Sequence, residues 1–237
     1  MWAVEGVSLP DGQACRWVVA DGVLGTSGYA PLLPGRYVLA GLVDAHCHLA
    51  LGSGSGGPVP LDVTAAAGNL TALTATGVTA VRDTGGPPAV TLSLVPADTD
   101  PVLLSSGRFL APAGGYFPAV HEPVRPDELV AAGLAEIQAG ARWLKLVGDF
   151  ALAGAEPELN YDAGTVRALV DAAHLRGVRV AAHTTTSQVG ALVAAGVDSV
   201  EHGTALDEQV LAALGAAGGA WTPTLCAGAG TVCRRDR

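Results

Sequence analysis

From Gly41 onward one pattern repeats: a brief apolar run, an alanine-rich stretch of helical spacing, a glycine, then another apolar run. The runs are Leu42 to His46, Val78 to Val81, Val102 to Ser105, Trp143 to Val147, Val178 to His183, Ser199 to His202 and Trp221 to Leu225. Helices are predicted over Val63 to Thr76, Asp127 to Ala139, Asp162 to Arg176, Ser187 to Ala195 and Asp207 to Gly215. Asp or Ser stands at several of their starts and Gly77, Gly140, Gly177 and Gly196 close them. Strand-helix alternation means parallel strands with helical crossovers. Seven strands in roughly 200 residues fall about one βα unit short of a (β/α)8 barrel, so the expected fold is α/β, an incomplete TIM-like barrel over 41–237. A Rossmann sheet competes, but no G-x-G-x-x-G follows a first strand. Gly52 to Gly57 is the nearest stretch and reads as a mobile loop.

Residues 1–40 differ. Short strand-like pieces, Arg16 to Ala20 and Tyr37 to Leu39, lie between Asp11-Gly12, Asp21-Gly22 and Pro34-Gly35 turns, and read as part of a small β-sandwich-like element.

Composition narrows the function classes. At 49% apolar and 15% charged the chain buries a core, which excludes disorder for most of its length. Net charge is −9, with basic residues clustered only at the end, which argues against a nucleic-acid partner. Cys15, Cys47, Cys226 and Cys233 form no C-x-x-C pair, and no basic leader or run of about 18 apolar residues occurs. A cytoplasmic protein without a membrane partner is the expectation.

The chemistry-bearing residues sit at strand ends. His46 and His48 are two apart, which puts both imidazoles on one face of a strand. Alone the pair reads equally as two satisfied core histidines. His183 and His202 end the fifth and sixth runs, so four of six histidines fall where parallel strands of a barrel converge on an active face. Several buried imidazoles need partners, and a divalent cation satisfies them together. Lys145 is the only lysine and lies inside an apolar strand. Either it pairs with an acid such as Asp149, or burial lowers its pKa until the neutral amine reacts with CO2 to give a metal-bridging carbamate.

Taken in order, Gly41-Leu42-Val43-Asp44-Ala45-His46-Cys47-His48-Leu49, Val81-Arg82-Asp83-Thr84-Gly85-Gly86, Trp143-Leu144-Lys145, Ala181-Ala182-His183 and Val197 to Thr204 resemble the amidohydrolase superfamily. The branch they resemble is the imidazolonepropionase-like and Xaa-Pro dipeptidase-like hydrolases. The resemblance implies that His46 and His48 hold one metal, His183 and His202 a second, and carbamylated Lys145 bridges them. Two zinc ions are the first expectation, with iron, cobalt and manganese also suited. It implies hydrolysis of a C–N bond in a small amide, cyclic amide or dipeptide. A single-metal deaminase is disfavoured because Thr184-Thr185-Thr186, not a glutamate, follows His183.

One departure stands out. In the family an aspartate at the end of the eighth strand binds metal and takes a proton from water. Here twelve residues follow Leu225, and Asp236, between arginines, is a poor substitute. The ending reads as an interrupted or frame-shifted form of a longer protein. Loss of a general base costs about 10²–10⁴ in rate, so an impaired remnant, surviving by self-association as a homo-oligomer, is the alternative to an active hydrolase. Tyr116 and His121, in the long connection Arg108 to Pro123, are candidate substrate contacts. Asp83 is assigned to turn geometry, His174 to a solvated helix face and Cys47 to packing.

Overall fold

A computed structural model describes residues 1–150 and 158–225. Cys226, Cys233, Asp236 and the rest of the ending lie outside the described residues. The chain divides into two compact units, Met1–Leu42 and Val43–Arg237.

The first unit is a four-stranded sheet of β1 (Trp2–Ser8), β2 (Ala14–Ala20), β3 (Val23–Gly25) and β4 (Tyr37–Val38), in the order β3-β2-β1-β4. β1 and β2 are antiparallel, with Trp2 opposite Val19, and β4 runs parallel to β1. Asp21 and Gly22 both take positive φ in the two-residue turn to β3, the backbone that a tight hairpin needs. The buried cluster here is small: Ala3, Val18 and Ala30. β1 was not anticipated, because Glu5, Gly6 and Ser8 interrupt its apolar alternation.

The second unit carries the repeating pattern. Its elements are β5 (Leu42–Cys47), β6 (Leu51–Gly54), β7 (Gly57–Pro60), α1 (Val63–Thr74), β8 (Val78–Asp83), α2 (Pro88–Thr91), β9 (Val102–Ser105) and β10 (Phe109–Leu110). Then follow α3 (Leu129–Gln138), β11 (Trp143–Val147), α4 (Ala163–His174), β12 (Arg179–Thr184), α5 (Val189–Ala194), β13 (Ser199–His202), α6 (Glu208–Ala216) and β14 (Ala220–Thr222). All seven expected strands and five expected helices are present, with ends shifted by a few residues.

The strands form two larger sheets, β5-β8-β9 and β10-β11-β12-β13-β14. The second is parallel throughout, as is the β8–β9 pair. Among the described residues the sheets do not close into a barrel. The third expected strand, β9, pairs with β8, and the short β10, which lies outside the expected strands, pairs with β11, so the break at Ser106-Gly107-Arg108 is where one sheet hands over to the other. Gly52 to Gly57 departs from the expected mobile loop. β6 and β7 pair as an antiparallel hairpin, with Gly57 at φ 125 beside the tip. Glycines hide such a hairpin in the sequence because its pairing is carried by backbone rather than by side-chain alternation.

Local signals explain the helices. Asp62, Asp162 and Asp207 are N-caps, each carboxylate accepting an amide from three residues on. Gly140 and Gly177 follow helix ends with positive φ, a conformation closed to most side chains. The main core lies between the five-stranded sheet and its helices, where Leu110, Leu144, Leu146, Val180 and Val200 meet Leu129, Val166, Leu169, Leu192 and Leu214.

Candidate metal and active site

Strand register assembles the site. Lys145 lies opposite Ala181, Val147 opposite His183, His183 opposite Glu201, and Glu201 opposite Thr222. Residues in register on parallel strands share a face, so Lys145, His183, Ser199, Glu201 and Thr222 line one side of the sheet. His202 follows Glu201 and on a regular strand would face away. Its backbone takes φ 67, left-handed and costly for a residue with a Cβ. That turn coincides with placing its ring 4.6 Å from the His183 ring and 5.0 Å from His46. His46 and His48, from the end of β5, have their rings 5.1 Å apart. The structure thus brings together all four strand-end histidines.

Their hydrogen bonds sort the ring nitrogens. His46 Nδ1 donates to Glu201 Oε2 at 2.5 Å, His48 Nδ1 to the Gly85 carbonyl at 2.7 Å, and His202 Nδ1 to Thr224 Oγ1 at 2.6 Å. Thr224 in turn donates to the Pro223 carbonyl, so its oxygen is an acceptor for His202. Burial keeps every ring neutral: His48 is pushed down to about 3, His202 to about 4, and His46 and His183 fall below the ordinary value, with Lys145 adding to the effect in each. Neutral rings with Nδ1 engaged are the form in which imidazole offers Nε2 to a metal.

Lys145 is buried and its Nζ has no hydrogen-bond partner among the described residues. Burial lowers its pKa to about 8 against the opposing pull of Glu201. The expected alternative pairing with Asp149 does not form. That carboxylate is taken up by the Thr184, Thr185 and Thr186 hydroxyls and the Thr185 amide.

Two charged residues given no role by the sequence lie beside this cluster. Glu201 is buried and accepts from Arg82 Nη2 at 2.7 Å, Ser199 Oγ at 2.6 Å and His46. Burial alone would raise its carboxyl, but the His46 bond and the Lys145 and Arg82 charges hold it at about 2. Arg82 also donates to the Ala45 carbonyl and to Thr222 Oγ1, and its guanidinium stacks 4.5 Å from the Trp143 ring. The available signal was a glutamate inside an apolar strand beside a histidine, and an arginine ending another strand.

Tyr116 is buried among Phe109, Phe117 and Phe150, with ring centroids 4.7–5.2 Å away, and its ring lies 6.0 Å from His183. His121 turns both ring nitrogens to carbonyls of its own loop, Phe117 and Pro112, so it staples that loop. Asp83 does accept the Gly85 amide as a turn residue, yet it is fully buried, its Oδ2 has no partner among the described residues, and burial raises it to about 7. Cys47 packs with Leu49, Ala50, Leu70 and Val81, as expected. His174, on the exposed face expected of it, also hydrogen-bonds the Asp198 carboxylate through Nε2 at 2.9 Å. As they stand, no three His, Cys, Asp or Glu side chains among the described residues are grouped to hold a metal ion.

The same residues align with known proteins. A model of the amidohydrolase family matches residues 37–224. An uncharacterized protein of Mycobacterium tuberculosis is 33% identical over 230 residues, which cover 94% of this chain and 60% of that protein. Among solved structures, a Xaa-Pro dipeptidase with methionine bound in its active site superposes with a TM-score of 0.73 at 21% identity, over 95% of this chain and 67% of that one. A putative prolidase from Bifidobacterium longum gives 0.74 at 25% identity, over 94% and 61%. The chain thus spans about 60% of the length of the curated relatives it matches. With the match running from β4 to the end of β14, through every strand that contributes to the histidine cluster, the chain belongs to the amidohydrolase family.

Proposed function

We propose that this chain is a metal-dependent hydrolase that cleaves a C–N bond in a small amide, cyclic amide or dipeptide, and that its two sheets form most of a (β/α)8 barrel. One observation carries the reading: four neutral histidines gather beside a buried lysine whose amine has no hydrogen-bond partner among the described residues. An orphaned buried ammonium is expensive, and its retention calls for a group that uses it.

The donor set fits divalent metal. His46 and His48 would hold one ion, His183 and His202 a second, and Lys145 would bridge them as a carbamate. The neutral amine of Lys145 attacks CO2, an N–C bond forms and one proton leaves, converting a donor-only side chain into an anionic pair of oxygens. Held by these residues, a divalent ion would supply Lewis acidity for a carbonyl and for water near neutral pH.

The chain's own residues do the rest. Glu201, Gly85 and Thr224 orient three rings, and the Phe109–Tyr116–Phe117–Phe150 cluster walls the His48 and His183 side of the site against bulk water. The solved dipeptidase and prolidase neighbours favour a dipeptide over a cyclic amide. A second reading, a chain that binds metal but turns over slowly, is favoured by one fact: Glu201, the carboxylate at the cluster, has both oxygens engaged and cannot serve as a general base.

Metal per purified chain, by elemental analysis, tests the proposal. A ratio near two that falls sharply in Lys145→Ala is expected. No metal in either protein overturns the reading. Hydrolysis of Xaa-Pro dipeptides by the metal-loaded chain separates the first reading from the second.

A further inference from the structure

Among the described residues Glu201 is the carboxylate bound to a ring of the histidine cluster. Its side chain is fully buried, and three donors from three places converge on it: Arg82 at the end of β8, Ser199 on its own strand and His46 on β5. With Oε1 taken by two donors, Oε2 is left for the ring. A carboxylate held ionised by a guanidinium can only accept, so the shared proton sits on His46 Nδ1. His46 Nε2 is then the bare lone pair, and it has no hydrogen bond among the described residues, on a ring flanked by His48 and His202.

His48 and His202 differ in kind. Their Nδ1 atoms face a carbonyl and a hydroxyl, both neutral. Of these three rings only His46 faces an ionised acceptor, which raises the donor strength of its opposite nitrogen. Arg82 fixes both members of the pair, because besides Glu201 it binds the carbonyl of Ala45, the residue preceding His46.

We propose that Glu201 is a positioning residue: it locks His46 as the Nδ1–H tautomer and aims Nε2 into the histidine cluster, with Arg82 as the clamp that keeps it there. The metal consequence rests on the reading given under Proposed function, whereas the tautomer does not. The test uses the full, ¹⁵N-labelled, metal-free chain near pH 8, where the rings are neutral. Long-range ¹H–¹⁵N correlations report which nitrogen of each ring carries hydrogen, and His46→Gln identifies the His46 signals by their loss.

In the wild-type chain His46 should carry its proton on Nδ1. In Glu201→Gln the amide NH2 can donate to Nδ1 instead, so the Nε2–H form becomes the majority at His46, with the His48 and His202 tautomers unchanged. Cobalt affinity of the same sample falls about 10–100-fold, while Glu201→Asp, which keeps the charge, restores the Nδ1–H form. A wild-type His46 protonated on Nε2 overturns the proposal without needing any variant, as does a Glu201→Gln chain with unchanged tautomer and cobalt affinity. A wild-type chain that binds no cobalt but shows the expected tautomer switch overturns the metal reading and leaves the positioning role standing.

Discussion

Two kinds of strand in the second unit read alike in the sequence and differ in the fold. β11 and β12 are central, flanked on both sides and buried almost throughout. β5 and β14 are the outer strands of their sheets, and Val43 is 65% exposed, Leu42 48% and Trp221 42%. Apolar character announces a strand; it does not announce whether both of its sides are covered. The difference matters because the site draws on both kinds. Lys145 and His183 come from the deep strands, whereas His46 and His48 come from the end of an outer one. The Arg82–Glu201 pair is what ties them: it joins the backbone of β5 to β13 and, through Thr222, to β14.

The largest effect should come from cutting that tie. Arg82→Met leaves the Glu201 charge buried without its guanidinium partner and should cost about 3–5 kcal/mol, read by urea denaturation; a loss under about 1 kcal/mol would mean that the outer strands are held some other way. Within the deep region, Leu144→Ala should cost about 2–5 kcal/mol by opening a cavity in the main core, whereas Trp221→Ala on β14 should cost well below that. Equal losses would erase the distinction between the two kinds of strand.

pH asks whether the rings behave as deep or as outer groups. His46, His48, His183 and His202 are neutral when folded and titrate near 6.5 when unfolded, so below pH 6.5 the unfolded chain binds more protons at these four sites. Stability of the chelator-treated chain should therefore be intact above 6.5 and fall steadily as pH drops toward 4, by at least about 1 kcal/mol for the set. A flat profile from 6.5 to 4 would show that water reaches the rings as it reaches Trp221. The smallest effect belongs to His121→Asn, which removes a loop staple separated from His183 by the Tyr116 ring and should cost within about 1 kcal/mol and leave metal content unchanged.

The strands, the capped helices and the strand-end histidines were legible because each rests on a local signal: apolar runs, Asp caps, residues at known offsets. Glu201 and Arg82 were not, since their meaning comes from a pairing across 119 positions of sequence. Neither could the sequence show that Asp149 is spent on three consecutive threonines, or that a left-handed bend turns His202 toward its partners. Such facts depend on which strands become neighbours, and local patterns are silent about that.

The stacking of Trp143 on Arg82 gives the chain an optical readout of its own site. The indole touches the guanidinium, the guanidinium holds Glu201, and Glu201 holds His46, so a change at that imidazole reaches a fluorophore through three contacts. Trp2 is exposed, Trp17 is half-buried in the first unit, and Trp221, whose Nε1 donates to the His202 carbonyl, is 42% exposed, so all three add emission of their own to that of the half-buried Trp143. Replacing Trp221 and the two tryptophans of the first unit with phenylalanine would turn that emission into a continuous assay needing neither substrate nor label.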